Sequence, residues 1–180
     1  KEYAREGTIL KSIEMLHSGV TYVNDMFVHN NPEIMASLGV VEGLKTIGIR
    51  GCVSFGAEDC PDGVTSHKSI KIEKIMQEHF ELESSVRDYD LIDFRLGIGT
   101  LLGQTDELFK KSIAACDKYG WKVHTHLLEA REEIVNSSLR WGFRPLQHAQ
   151  NNGLLDLDIV AAHMIWINEH DISLLNKNKF

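Results

Sequence analysis

The chain has 180 residues, of which 43% are hydrophobic, and a formal net charge of -7. That length and apolar share suit one globular domain with a sizeable core, or part of a larger one. The charge leaves no basic footprint for a nucleic-acid binder, and no apolar run approaches the roughly 20 residues that span a bilayer.

No signal-peptide pattern opens the sequence. Cys52, Cys60 and Cys116 are sparse and form no CxxC pair. They favour free thiols in a reducing, cytoplasmic setting.

Hydrophobic periodicity predicts a helix over residues 2–18, with Ile9, Ile13 and Leu16 at helical spacing and Ser18-Gly19 as its stop. A β-rich run, VTYVNDMFV, fills 20–28. A short helix over 32–43 follows, with Pro32 suited to its first turn. Next come a strand over 45–55 and a turn-rich stretch over 56–66. Residues 68–85 read as a helix whose stripe is Ile70, Ile72, Ile75, Met76, His79 and Phe80. The remainder alternates: strand 91–99, helix 105–119, strand 122–128, helices 129–140 and 144–152, strand 159–166, helix 168–176. No internal repeat or low-complexity tract interrupts it.

Strands alternating with helices imply parallel βα units, in a doubly wound open sheet or a (β/α)8 barrel. A barrel takes about 250 residues, so these units would form an incomplete one. The chain starts inside a helix and stops at a turn, so the expectation is a single incomplete domain over 1–180. The polar residues favour the barrel. Asp25, Glu58, His126, Glu129 and His163 fall in or just after the second half of a strand, which in a barrel is the catalytic rim.

The segment WKVHTHLLEAREE (121–133) concentrates the chemistry. His124 and His126 share a strand face, with His124 one layer deeper. A neutral imidazole is the commonest metal ligand, and Glu129 just beyond the strand could carry a proton beside a metal-activated water. An HxH alone is a weak motif, however. His124 reads as a packed histidine or one that supports a metal ligand from behind, and His126 stands open between packing and ligation. IVAAHMIW adds weight by placing His163 in an apolar strand, where an unpaired ring would be expensive. Asp25 reads as a helix N-cap or a rim residue, and Arg50 as a buried ion-pair partner. Trp121, Trp141 and Trp166 read as core, and His17, His29, His67, His79, His148 and His170 as packing or surface residues. HExxH, GxSxG and glycine-rich phosphate loops are absent.

The series GVTYVNDM (19–26), KTIGIRGCV (45–53), HTHLLEAREEI (124–134), GFRPLQHAQNNGLL (142–155) and IVAAHMIWINEHDISLL (159–175) resembles the amidohydrolase superfamily. The branch it is similar to contains triazine hydrolases, guanine deaminases, and methylthioadenosine or S-adenosylhomocysteine deaminases. The resemblance implies barrel strands two to six of a (β/α)8 fold with one divalent metal, zinc or iron. It implies His126 as a metal ligand, Glu129 as the proton shuttle and His163 as the residue positioning water and substrate. The substrate implied is a small amino-substituted nitrogen heterocycle, attacked by metal-activated water. Two departures stand out. The family's first HxH and its strand-eight aspartate have no counterpart here, and one imidazole does not make the multi-ligand site such an ion needs. GIGTLLGQT also lacks the HAPYT-like segment of adenosine-type deaminases, which counts against their substrates. The alternative is therefore an inactive barrel fragment, completed by missing segments, a homo-oligomer or another chain. An open sheet that binds a nucleotide is a third reading, and it lacks a phosphate loop.

Overall fold

A computed structural model describes residues 1–29, 31–60 and 71–177. The expected turns at 61–66, the helix start at 68–70 and His67 lie outside the described residues.

Helix α1 (Glu2–His17) forms where periodicity places it, but much of its apolar stripe turns outward, with Met15 packed on the core. Leu10, Ile13 and Leu16 are exposed, while Ala4 and Ser12 are buried. The cause is the neighbouring helix α2 (Ala36–Ile47). At Gly39 an added Cβ would run into the Lys1 carbonyl, and at Gly43 it would lie 2.7 Å from Thr8 Cβ. Backbones this close leave room only for small side chains at the contact. Gly43 therefore does not end the helix. It ends four residues later, where Gly48 (φ 77°) donates its N–H to the Leu44 carbonyl at 2.8 Å. The strand predicted over 45–55 accordingly begins at Arg50.

The strands are β1 (Tyr22–Val28), β2 (Arg50–Gly56), β3 (Ile92–Phe94), β4 (Leu96–Thr100), β5 (Val123–Leu127) and β6 (Ile159–His163). Every described pairing is parallel: β1 with β2, β2 with β3, β4 with β5, and β5 with β6. The single strand expected over 91–99 breaks at Arg95. Its guanidinium Nη1 donates to the carbonyls of Val123 (3.2 Å) and Asp158 (3.1 Å) and to Asp158 Oδ1 (2.8 Å). A bridge between Ala57 and Ile98 joins the two three-stranded sheets. The spatial order of the described strands thus follows the chain order, without the reversal that opens a crevice in a doubly wound sheet.

Helices α3 (Ile72–Val86), α4 (Asp106–Tyr119), α5 (Arg131–Trp141) and α6 (Pro145–Asn151) connect successive strands, and α7 (Glu169–Lys177) follows β6. Two apolar clusters form between helices and sheet. One is built on Val40, Val53, Phe55, Ile75 and Leu82, the other on Leu96, Ile98, Phe109, Leu127 and Leu146. None of the described helices is long and apolar enough to cross a membrane.

Several expectations change. β6 is not a buried strand over 159–166: it stops at His163, its residues are half-buried, and His163 is exposed. It has one partner, β5, so its other edge is unpaired among the described residues. Asp25 is neither a rim residue nor a helix N-cap. It lies mid-strand and, with Val23 and Phe27, lines a cavity against α1 and α2. Arg50 is exposed and donates Nε to the Thr21 carbonyl at 3.3 Å, with no ion pair among the described residues. Trp121 and Trp141 pack on the second cluster, whereas Trp166 is exposed.

Candidate active site at the strand exits

Strand alternation sends Ser54, His124 and His126 to the side of the sheet opposite the helices. His124 lies deeper and is buried, with Nδ1 3.2 Å from the Ser54 hydroxyl. Burial, reinforced by the charges of His126 and Arg95, holds its pKa down at about 4. It is a neutral packing group that touches its strand mate: the His124 and His126 ring centroids are 6.1 Å apart.

His126 stands at the exit of β5 and is half-buried. Its Nδ1 lies 3.0 Å from the Gly99 carbonyl. A carbonyl only accepts, so this contact fixes the tautomer with the proton on Nδ1 and leaves the Nε2 lone pair for a ligand. Histidines that bind metals are commonly oriented in this way.

Beyond His126 the chain turns through Leu128, whose φ of 54° is left-handed. Glu133, in the first turn of α5, stabilises that turn. Its carboxylate accepts from the backbone N–H groups of Leu128 (2.9 Å), Glu129 (2.7 Å) and Ala130 (3.0 Å). Held by this clamp, the Glu129 side chain reaches back to β6, with Oε2 3.5 Å from His163 Nε2. The His163 ring is 5.3 Å from that of His126, centroid to centroid. His163 (φ 73°) and Met164 (φ 52°) are left-handed too. Non-glycine residues pay roughly 1–3 kcal/mol each for such backbone, and these conformations cluster at functional sites. Here three of them border one group of side chains.

Glu58, just past β2, completes the arc. Its Oε1 accepts from the Thr100 hydroxyl at 3.0 Å. Burial raises its pKa, and the Thr100 hydrogen bonds and the charge of His126 oppose the shift. Of the five rim residues expected from sequence, the structure gathers Glu58, His126, Glu129 and His163 and leaves Asp25 aside. Glu133 was not expected, although a glutamate three residues past a helix boundary is a capping signal.

His126 fits a metal by its donor and its orientation. Among the described residues, no group of three or more His, Cys, Asp or Glu side chains is arranged to hold one.

Groups of catalytic type thus collect at the carboxyl ends of parallel strands in an α/β fold, the edge at which such sheets commonly carry their sites. Residues 1–179 match the amidohydrolase family, and the chain belongs to it. The 5'-deoxyadenosine deaminase of Methanopyrus kandleri is 28% identical over 176 residues, covering 98% of this chain and 38% of that protein. Among solved structures, an adenosine deaminase from Xanthomonas campestris with bound zinc is 27% identical with a TM-score of 0.82, over 98% of this chain and 38% of that one. An atrazine chlorohydrolase from Arthrobacter aurescens, complexed with zinc, shares the fold at 18% identity and a TM-score of 0.80, over 97% of this chain and 40% of that one. The chain thus spans about two-fifths of the length of these relatives.

Proposed function

We propose that the full-length protein is a metal-dependent aminohydrolase that removes an amino group from a small nitrogen heterocycle. In this reading residues 1–180 form one incomplete domain, strands two to six of a (β/α)8 barrel. The parallel strands running in chain order and the deaminases among the similar proteins support it. A completing segment or a second copy would cover the edges of β1 and β6 that are unpaired among the described residues. All three cysteines are buried, and the free thiols of Cys52 and Cys116 suit a reducing cytoplasm.

The observation that carries the reading is the meeting of His126, Glu129 and His163 at adjacent strand exits. His126 would hold a divalent ion, zinc in the first instance, through Nε2, with further ligands from outside the described residues. When bound, the ion supplies Lewis-acid activation, bringing the pKa of water towards neutrality. Glu129 takes the proton of the attacking water on its carboxylate and returns it to the departing nitrogen. His163, beside Glu129 Oε2, orients that carboxylate and the incoming water. Hydroxide adds to the electron-poor ring carbon, the C–N bond breaks, and ammonia leaves once protonated.

The test is ammonia release from a purine, pyrimidine and triazine panel by full-length protein of known metal content. Glu129→Gln should lower kcat by about 10²–10⁴ with the metal retained. A protein with neither metal nor turnover would remove the proposal.

A further inference from the structure

The strand exits hold a carboxylate that the proton transfer above does not use. Glu58 sits on a segment fastened at each neighbouring residue. Gln104 Nε2 donates to the Ala57 carbonyl at 2.9 Å, and the Cys60 N–H donates to the Gly103 carbonyl at 2.8 Å. Asp59 accepts from the Thr105 N–H and hydroxyl, both at 2.7 Å. Two glycines make room for the side chain. A Cβ on Gly99 would lie 2.7 Å from Glu58 Oε1, and one on Gly103 would overlap the same carboxyl. Thr100 holds Oε1, and its hydroxyl also accepts from the Gly103 N–H at 2.9 Å.

Gly99 places this carboxylate relative to the site. Its carbonyl faces His126 Nδ1 and its Cα faces Glu58, so one residue of β4 separates the imidazole from the carboxyl. Glu58 is therefore fixed in direction and half-buried beside His126, and Thr100 is its only hydrogen-bond partner among the described residues.

We infer that Glu58 is a specificity-determining residue, accepting hydrogen bonds from N–H or O–H donors that the heterocyclic substrate presents beside the His126 site. The inference rests on the aminohydrolase reading for its substrate class. The donors have two sources, the N–H of a bare base or the hydroxyls of an attached sugar.

Matched substrate pairs separate these sources in full-length wild-type and Glu58→Gln protein. Adenosine against 2',3'-dideoxyadenosine tests the sugar hydroxyls, and adenine against 9-methyladenine tests the ring N–H. Loss of a charge-assisted hydrogen bond should raise KM for the donor-bearing member of one pair roughly 10- to 100-fold. KM of its donor-lacking partner should hold, so that the ratio of the two kcat/KM values falls by the same factor. Calorimetric titration of the same four compounds gives a readout that needs no turnover. A wild-type protein that binds these four but releases ammonia from nothing in the wider heterocycle panel refutes the aminohydrolase reading, and the pairwise binding loss still supports the role of Glu58. Equal losses for both members of each pair, no loss at all, or no binding by the wild type would overturn it.

Discussion

Glutamate and histidine chemistry at the strand exits depends on small backbone decisions. The Gly99 carbonyl selects the tautomer of His126, and the Glu133 carboxylate sets the turn from which Glu129 projects. His126→Ala should abolish or sharply weaken metal binding to the full-length protein, and His124→Asn should retain most of it. Metal content after dialysis measures both, and equal loss in the two variants would contradict the division between ligand and packing residue. The strand period made the shared face of the two rings, with His124 the deeper, legible in sequence, whereas the ligand role of His126 is what the resemblance implies. The same period applied to VNDMFV would have set Asp25 beside Val23 and Phe27, turned towards the helices and away from the rim.

A second residue-scale consequence concerns acid. His79 on α3 is wholly buried near Phe55 and Phe94, and neither ring nitrogen has a hydrogen-bond partner among the described residues. Burial drives its pKa down to about 3 and that of His148 to about 4, as it does for His124. Unfolded, such imidazoles protonate near pH 6.5. Between these values the unfolded chain binds more protons, so their stabilisation is complete above about pH 6.5 and is lost as pH falls towards 4 and then 3. Asp25 and Glu58 act with the opposite sign. Burial raises both pKa values, so their contribution is present below the ordinary carboxylate range and is lost as pH rises through the raised values. His79→Leu should flatten the acid-side decline in urea midpoint between pH 7 and 5. A decline parallel to that of the wild type would show that His79 does not control it.

Elements follow packing where sequence signals were ambiguous. The helix expected over 32–43 runs past Gly43, which serves the close crossing of α1 and α2, to its stop at Gly48. Local pattern cannot separate these uses, because both call for a missing side chain. The exposed Leu10, Ile13 and Leu16 of α1 have the same origin: the small residues made the contact that the large ones were expected to make. Gly43→Val should cost about 1–3 kcal/mol by forcing the helices apart, whereas Gly7→Ala, with open space around its position, should be neutral or stabilising. Chemical denaturation of both distinguishes packing from propensity. The α5 clamp makes a separate prediction. Glu133→Ala should cost about 1–2 kcal/mol by freeing three N–H groups at the helix start. It should also lower kcat by releasing the turn that presents Glu129. Unchanged kcat would show that Glu129 is positioned by its contact with His163 alone.

At the scale of the molecule, alternating strands and helices were enough to expect a parallel α/β sheet, and the strand exits were enough to expect four of its rim residues. Less was legible where neighbours decide the outcome. The apolar run IVAAHMIW reads as buried, but burial of β6 depends on what pairs with its free edge, which lies outside its own sequence. The break at Arg95 likewise depends on carbonyls of β5 and of the residue before β6, remote in the chain. In the proposed function His126 is the metal-binding imidazole, with Glu129 and His163 around the same reacting water. Anomalous diffraction at the zinc edge from the zinc-loaded full-length protein tests this directly. It should place a peak about 2.0–2.1 Å from His126 Nε2, with Glu129 and His163 facing the solvent side of that ion. A peak ligated elsewhere, with His126 Nε2 turned away from it, would contradict the account.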